Sequence, residues 1–420
     1  MTLSGHPRTD IGAAELALLR GVDEARRMRP DDGFADEMRA RFPTEREYDD
    51  MLSRKLAHRR SERRGPVGLD DLAAALDRFL RHTLDGDFTV SGQRWLAGGA
   101  SKLQMAFRLN WDDPKQGRAT SDLVVRMEPQ EGLNATSRRR EFQLLRALAG
   151  VVPVPRVYWV DQTGEWFPEP ALVYAFAEGV TKPRTVERGR ATGVGNPFYP
   201  ELRRALAPQF VEHLARIHTV DHTAADLSAF DVPEVGTTQS ALWQLNRARR
   251  VWEEDRAEDL PVLEVAASWL ERNLPVLDRV SLLHGDYRAG NFMFDEDERR
   301  ITAWLDVERG YLGDRHRDLA WITMPHFGNR DDEGRLLVSG LVPLDEFYPA
   351  YEAASGLTVD PDRLRYYQIF NAYQLVASSL GTAQRVVRLG RSHQDVLIAW
   401  LEGVVYSILA ELRTSIGGDL

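Results

Sequence analysis

A short polar stretch, residues 283–291, combines residue types that can perform chemistry. It reads Leu-His-Gly-Asp-Tyr-Arg-Ala-Gly-Asn, and an Asp-Val-Glu triplet begins at Asp306. Asp286, Asn291 and Asp306 offer carboxylate and amide oxygens, which can accept a hydroxyl proton or hold magnesium. Phosphoryl transfer needs such groups, because its loose transition state is highly charged and must be positioned and neutralised. The spacing therefore predicts a phosphoryl-transfer centre.

The sequence around these residues predicts the elements that position them. Apolar runs cover residues 280–283, 292–294 and 301–305, and a polar, glycine-containing segment follows the first run. Short apolar runs bounded by polar residues are typical of buried strands. Each candidate side chain is therefore expected at the end of a strand or in the adjoining loop.

The wording HGDYRAGN, then LDVE, then GDRHRDLAW resembles the aminoglycoside phosphotransferase and choline kinase family, within the protein-kinase-like fold. It is most similar to the kinase-like domain associated with acyl-CoA dehydrogenases. The resemblance covers about residues 90–410. It implies an α+β, bilobal protein-kinase-like fold, with a small antiparallel-sheet N-lobe and a mainly helical C-lobe.

The resemblance also implies roles for individual residues. Asp286 is the expected catalytic base, His284 braces the loop, and Arg288 is grouped with them as catalytic. The implied magnesium ligands are Asn291, Asp306 and Glu308. Two alternatives stay open: a solvated loop with unrelated carboxylates, and a degenerate kinase without activity.

Upstream, a glycine loop precedes a strand in which apolar and polar residues alternate from Leu103 to Trp111. Gly98, Gly99 and Ser101 in this loop are candidates for phosphate contact, since glycine lets backbone amides approach closely. A plain hairpin turn would use the same glycines.

A charged pair is expected next. Arg126 lies on the short apolar strand 123–127, and Glu141 lies in a helical stretch that covers residues 136–149. In kinase-like enzymes a basic residue on the third strand contacts the nucleotide phosphates and is held by a helix glutamate. That basic residue is usually lysine, so arginine is a departure, and an ordinary surface ion pair is the alternative.

The run 171–180 is predicted to be a buried strand that leaves through a glycine turn. By resemblance it is the hinge between the lobes, and the backbone of Ala175 and Ala177 is expected to meet the adenine. The implied cofactors are Mg²⁺ and ATP, with GTP equally compatible.

Three segments are expected along the chain: a helical N-terminal extension (1–86), an N-lobe (87–178) and a C-lobe (179–420). Apolar stripes at helical spacing in the extension predict packing faces rather than a cofactor site. Thr44 and Glu47 have the spacing of a capping box. His218 is expected to be a packed histidine. Asp318 is expected to accept backbone hydrogen bonds from the catalytic loop. Capping of the helix that covers residues 319–324 is the alternative for Asp314 and Asp318, and the two roles are compatible.

Arg385, Arg388 and Arg391 recur at three-residue spacing in the C-terminal segment. They could bind an anion of the acceptor, but a solvent-facing charged stripe is the favoured interpretation.

Composition limits the function further. The chain has no cysteine and a formal net charge of -10. Disulfides and thiolate chemistry are excluded, and a general nucleic-acid binder is disfavoured because it would present a basic face. We expect a cytoplasmic protein without membrane association.

The expected partner is a small hydroxylated acceptor. A hydroxyacyl-CoA fits the nearest resemblance, whereas an aminoglycoside or another antibiotic fits the wider family. A non-catalytic nucleotide-binding scaffold is the third hypothesis.

Overall fold

The computed structural model describes residues 24–60, 65, 67–96, 102–129, 132, 134–184, 197–389 and 395–417. Its helices are α1 (Asp32–Arg41), α2 (Arg46–Arg60), α3 (Leu69–Thr83), α4 (Arg138–Leu148), α5 (Pro200–Thr219), α6 (Gln239–Asp255), α7 (Pro261–Arg272), α8 (His316–Ile322), α9 (Leu344–Ser355), α10 (Pro361–Leu389) and α11 (Asp395–Gly417). Single 3₁₀ turns cover His222–Ala224, Val307–Arg309 and Pro325–Phe327. The strands are β1 (Thr89–Trp95), β2 (Leu103–Asp113), β3 (Gly117–Met127), β4 (Val157–Asp161), β5 (Ala171–Ala175), β6 (Ser281–Leu283), β7 (Phe292–Asp295), β8 (Arg300–Trp304), β9 (Tyr311–Gly313), β10 (Asn329–Arg330), β11 (Leu336–Val338) and β12 (Val342–Pro343).

The N-lobe is a five-stranded antiparallel sheet in the order β1-β2-β3-β5-β4. The alternating segment 103–111 forms β2, as predicted. Helix α3 packs its apolar stripe on one face of this sheet, so that Leu72, Leu76 and Phe79 share a core with Met105 and other strand residues. The stripe is thus a packing face, as its helical spacing predicts.

The C-lobe is mainly helical, and two short antiparallel strand pairs carry the polar motif. Strand β6 pairs with β9, and β7 pairs with β8, both antiparallel. The three apolar runs around the motif are therefore strands, as predicted. Helix α4 follows β3 and carries Glu141. The α+β bilobal fold with N-terminal helices is confirmed.

Helix α2 packs against the strands that carry the polar motif. Tyr48 and Met51 form one buried cluster with Leu283 of β6 and Tyr311 of β9. The capping-box prediction was wrong, because its two side chains bind other elements. The Thr44 hydroxyl donates to the Trp243 carbonyl (3.1 Å), and the Glu47 carboxylate accepts from the Ser137 hydroxyl (2.6 Å).

A buried ionic cluster fastens α2 to two C-lobe helices. The Asp255 carboxylate lies 3.1 Å from the Lys55 ammonium and 3.1 Å from the Arg385 guanidinium, and it also pairs with Arg59. Arg388 pairs with Glu24 at 3.3 Å, and Arg391 lies outside the described residues. The interpretation of Arg385 as part of a solvent-facing stripe was wrong, because a carboxylate from α6 draws its side chain into the interior.

Within the described part of the chain, no helix is both long enough and apolar enough to cross a membrane.

Candidate active site

The polar motif folds into a loop whose backbone is held by Asp318 of α8. The Asp318 carboxylate accepts the backbone N–H of His284 (2.8 Å) and of Gly285 (3.0 Å), as the sequence predicted. Gly285 has φ +81°, and a Cβ there would collide with the Arg309 carbonyl. Only glycine therefore suits this turn.

Two further side chains secure this arrangement from behind. His218, buried as predicted, places Nε2 3.5 Å from Asp318 and Nδ1 2.8 Å from the Tyr351 hydroxyl. Arg317 donates to the Gly285 carbonyl and, at 3.0 Å, to Gln374. Burial acts to raise the pKa of Asp318, but its bond with His218 and the Arg317 charge hold that pKa below its ordinary value.

Asp286 presents a carboxylate that is only 15% exposed and is oriented by two donors. The Trp321 indole N–H donates to Oδ1 at 2.8 Å, and the Arg288 Nε–H donates to the same oxygen at 3.1 Å. Burial acts to raise the pKa of Asp286, but Arg288 and Arg309 outweigh it and lower that pKa. The carboxylate is therefore ionised at neutral pH, as a proton acceptor must be.

His284 lies beneath the loop rather than facing solvent. Its Nδ1 accepts the backbone N–H of Asp286 at 3.3 Å. Its Nε2 is buried without a hydrogen-bond partner among the described residues. Burial lowers the pKa of the ring, so the imidazole is neutral at physiological pH. This geometry suits a brace.

Asn291 directly precedes β7 and Asp306 follows β8, so both lie at the open end of this hairpin. The Asn291 side-chain Nδ2 donates to the Asp286 carbonyl at 2.8 Å, which leaves its Oδ1 as the atom for a cation. Asp306 adopts the left-handed conformation (φ 58°, ψ 40°), and its side chain is 37% exposed. One amide oxygen and one carboxylate fit magnesium, because this ion keeps several waters and phosphate oxygens as its other ligands.

A buried network around Arg126 joins the two lobes. The Arg126 guanidinium lies 3.3 Å from Glu141, 2.7 Å from Asp306 and 2.8 Å from Glu308. The predicted Arg126–Glu141 pair is present and is not a surface pair, because both side chains are buried. Burial acts to raise the pKa of Glu308, but Arg126, Lys102 and Arg138 lower it to about 2.

Glu308 is therefore an ionised partner of Arg126, and it lies two residues beyond Asp306. Among the described residues, no three His, Asp or Glu side chains converge as a metal-binding group. Magnesium held by Asp306 would share that carboxylate with Arg126, whereas the Asn291 amide is already oriented by its bond to the Asp286 carbonyl.

The remaining predicted nucleotide contacts lie in the N-lobe. Ala175 ends β5 and donates its N–H to the Arg156 carbonyl at 2.8 Å, and Ala177 follows in an irregular segment. Val180 then pairs with Phe294 of the C-lobe hairpin, so this segment does link the lobes. Gly98, Gly99 and Ser101 lie outside the described residues.

Comparison with known proteins decides the family. Residues 96–367 match the model of the phosphotransferase enzyme family. That is more than half of the chain, and it includes every site residue that the sequence predicted. The chain belongs to this phosphotransferase family.

The relatives of the phosphotransferase carry two kinds of name. Mouse acyl-CoA dehydrogenase family member 10 is 26% identical over 280 residues, covering 64% of this chain and 25% of the relative. An aminoglycoside 3'-phosphotransferase of Streptomyces fradiae is 25% identical over 223 residues, covering 48% of this chain and 76% of the relative. The match therefore spans only a quarter of the first relative's length.

A solved structure supports the fold. A crystal structure from Ralstonia eutropha, provisionally named an aminoglycoside phosphotransferase, aligns with a TM-score of 0.60 at 21% identity, covering 82% of this chain and 98% of the other. At that identity the likeness shows the kinase-like fold alone.

Sequence reasoning missed several residues that shape the phosphotransferase site. Arg317 and Trp321 lie within the motif GDRHRDLAW but were given no role of their own, and Arg309 lies outside every quoted motif. Lys102 directly follows the glycine loop, and its ammonium lies buried 3.1 Å from Glu128. A signal for Lys102 existed, since a buried lysine beside a glycine loop is a charge that needs a partner.

Proposed function

We propose that this phosphotransferase moves the terminal phosphate of ATP, or of GTP, to a hydroxyl group of a small acceptor. The Asp286 carboxylate carries the proposal, because it is ionised, held by an indole N–H at 2.8 Å and still partly exposed. The acceptor oxygen forms a bond to the γ-phosphorus, the bond to the β–γ bridging oxygen breaks, and the hydroxyl proton passes to Asp286. The nucleoside diphosphate is the leaving group.

A carboxylate of low pKa is a weak base, and the proposed reaction accommodates that. In a loose transition state the bond to the acceptor oxygen is little formed, so the hydroxyl keeps its proton until late. Asp286 first orients the hydroxyl and then accepts the proton. His284 and Arg288 hold the carboxylate in place for both tasks.

Asn291 and Asp306 would hold magnesium, with Glu308 as the third candidate, and the bound ion would neutralise charge on the phosphates. Arg126, kept in position by Glu141, contacts the phosphates together with the loop that contains Gly98, Gly99 and Ser101. The backbone at Ala175 and Ala177 meets the nucleobase.

The acceptor class is the finer part of the proposal. Relatives named acyl-CoA dehydrogenase family members favour a hydroxyacyl-CoA, although the match spans only 25% to 34% of the mouse and Arabidopsis thaliana relatives. The Streptomyces relative makes an aminoglycoside the second candidate.

The test is magnesium-dependent ADP or GDP release across 4-hydroxyacyl-CoAs, free hydroxy acids, aminoglycosides, macrolides and choline, with phosphorylated products identified by mass spectrometry. We expect one acceptor class to stimulate release. Tight nucleotide binding without stimulation by any acceptor would favour a scaffold instead.

A further inference from the structure

A narrow pocket lies between α2, α6, α10 and the turn that follows Asp306. Its charged and polar lining includes Lys55, Asp255, Arg247, Arg309, Gln374 and Arg385. The cavity measures about 30 Å³, which is room for roughly two water molecules. It can therefore admit one small polar group of a ligand and not a whole acceptor molecule.

Two of the lining arginines form no ion pair among the described residues, and Arg309 interacts with the Asp286 charge only at longer range. Arg247 of α6 is only 8% exposed, and its guanidinium rests 3.6 Å from the Tyr48 ring centroid. Arg309 stacks over the Trp321 ring at 4.9 Å. Among the described residues, neither guanidinium has a carboxylate oxygen within 4.0 Å. By contrast, Lys55 lies 3.1 Å from Asp255 in the same pocket.

Buried charges without a counter-charge are unfavourable in a protein interior. Burial lowers the pKa of Arg247, and the nearby Arg140 and Arg317 charges lower it further. Burial, with the Arg317 charge, also lowers the pKa of Arg309 to about 10, although the Asp286 carboxylate acts to raise it. Both arginines nevertheless stay protonated at neutral pH, so the pocket has an excess of positive charge that an anion would relieve.

This positive charge lies beside the catalytic carboxylate. The Trp321 ring stacks under Arg309, and the Trp321 indole N–H donates to Asp286 at 2.8 Å. A group bound at Arg309 is thus separated from Asp286 by one aromatic side chain. An acceptor held there would have its hydroxyl within a short reach of the proposed base.

We infer that Arg247 and Arg309 bind an anionic oxygen group of the acceptor, a carboxylate or a phosphate, and so place the acceptor hydroxyl at Asp286. The inference rests on the proposed function and narrows it to anionic acceptors. A polycationic aminoglycoside would be repelled by the same two side chains.

The experiment measures anion binding directly by calorimetry, in saturating Mg-ADP so that the nucleotide site is filled. The probes are inorganic phosphate and 4-hydroxybutyrate, which separate a phosphate from a carboxylate preference. The variants are Arg247→Gln, Arg309→Gln and Arg247→Lys. Arg249→Gln is the matched control, because Arg249 lies on the same helix but pairs with Glu271 at 2.9 Å.

We expect saturable binding of at least one probe to the wild type. Binding should weaken by ~10-fold or more in both glutamine variants, since charge-assisted contacts contribute about 1.5–3 kcal/mol each. Arg247→Lys should retain part of the affinity, and Arg249→Gln should match the wild type. Thermal unfolding checks the fold, and Arg247→Gln should not destabilise it, because the substitution removes like-charge repulsion.

Absence of probe binding to the wild type, or unchanged binding in folded Arg247→Gln, would overturn the inference. The acceptor panel separates this failure from failure of the proposed function. If the enzyme phosphorylates an acceptor and Arg247→Gln leaves the KM for that acceptor unchanged, the role of the pocket is refuted and the proposed kinase activity stands. If anions bind in an arginine-dependent way but no acceptor is phosphorylated, the proposed kinase activity is refuted and the anion-binding role of the pocket stands.

Discussion

At Asp286 the fold keeps a carboxylate ionised where burial alone would favour the protonated form. Arg288 and Arg309 supply the compensating charge, and the Trp321 N–H supplies a directed hydrogen bond. These groups fix the position of the carboxylate as well as its charge. Orientation of this kind matters because small misplacement of a reacting group lowers the rate steeply.

Trp321→Phe tests the indole contact. The substitution keeps the ring under Arg309 but removes the donor to Asp286, and hydrogen bonds to charged groups contribute about 1.5–3 kcal/mol. We expect kcat to fall between ~10-fold and ~100-fold, with the Kd for ATP unchanged. The control is Trp269→Phe, since Trp269 stacks on Tyr366 instead. An unaltered kcat would show that the indole does not orient the base.

Arg126→Lys tests the phosphate-side network. Lysine keeps the charge but lacks the planar fork that lets Arg126 reach Glu141 and Asp306 together. We expect the Kd for Mg-ATP to rise by ~10-fold, measured by calorimetry. Arg108→Lys, on the neighbouring strand and paired with exposed Asp122, should leave it unchanged. Equal Kd values for Arg126→Lys and the wild type would show that the guanidinium of Arg126 is not needed for nucleotide binding.

The sequence predicts those site residues that fall within one contiguous motif, from His284 to Asn291. It also predicts the support of the loop by Asp318, because that aspartate lies in the motif GDRHRDLAW, which carries the family resemblance. Arg309 and Trp321 escape prediction, since their roles arise from a stacking contact that no spacing rule encodes. The role of Arg247 could not be predicted either. This residue lies on α6, far from the motif in sequence, and stacks on the Tyr48 ring.

At the scale of elements, α2 fixes the helix that carries Glu141. The Ser137 hydroxyl at the start of α4 donates to Glu47, and the buried Arg140 side chain pairs with Glu45. Arg140 also donates to the Gly310 carbonyl at 3.1 Å. Helix α4 is therefore bonded both to the start of α2 and to the loop after Asp306, and these contacts stabilise the geometry around Arg126.

Asp255→Asn tests the attachment of α2. The change leaves Lys55, Arg59 and Arg385 without their shared counter-charge, and breaking a buried ionic cluster costs about 3–5 kcal/mol. We expect a lower Tm and faster hydrogen exchange in residues 46–60. Asp77→Asn removes the exposed pair with Arg81 and should change stability by less than about 0.5 kcal/mol. Normal exchange in 46–60 would mean that other contacts hold the helix.

The same cluster gives a pH dependence. Burial acts to raise the pKa of Asp255, but Lys55, Arg59 and Arg385 lower it below its unfolded value. A lowered pKa in the folded state contributes stability above the unfolded pKa of about 3.9, and acid removes that contribution as the pH falls below it. Wild-type Tm should therefore decline more steeply below about pH 4 than that of Asp255→Asn. Parallel declines would contradict this.

The helical stripe of α2 was predictable, but its destination was not. Apolar spacing shows that a face is buried and does not identify the surface that buries it. Tyr48 and Met51 find that surface at Leu283 and Tyr311, more than 230 positions along the chain. Long-range pairing of this kind is set by the whole fold.

At the scale of the whole molecule, the packed structure includes N-terminal helices that lie outside the range matched by the family model. The family model begins at residue 96, yet α3 packs in the core of the N-lobe and α2 shares a buried cluster with two strands of the C-lobe. Lys55 of α2 also lines the arginine pocket. We therefore regard the helices within residues 32–83 as an integral part of the phosphotransferase fold.

The most direct test of the account is acceptor-dependent ADP release by Asp286→Asn, compared with the wild type and with Asp297→Asn, a control carboxylate that is 81% exposed. A general base contributes ~10²–10⁴ in rate. We predict that Asp286→Asn loses turnover on that scale while its Kd for Mg-ATP stays at the wild-type value. Near-normal turnover of folded Asp286→Asn would contradict the account.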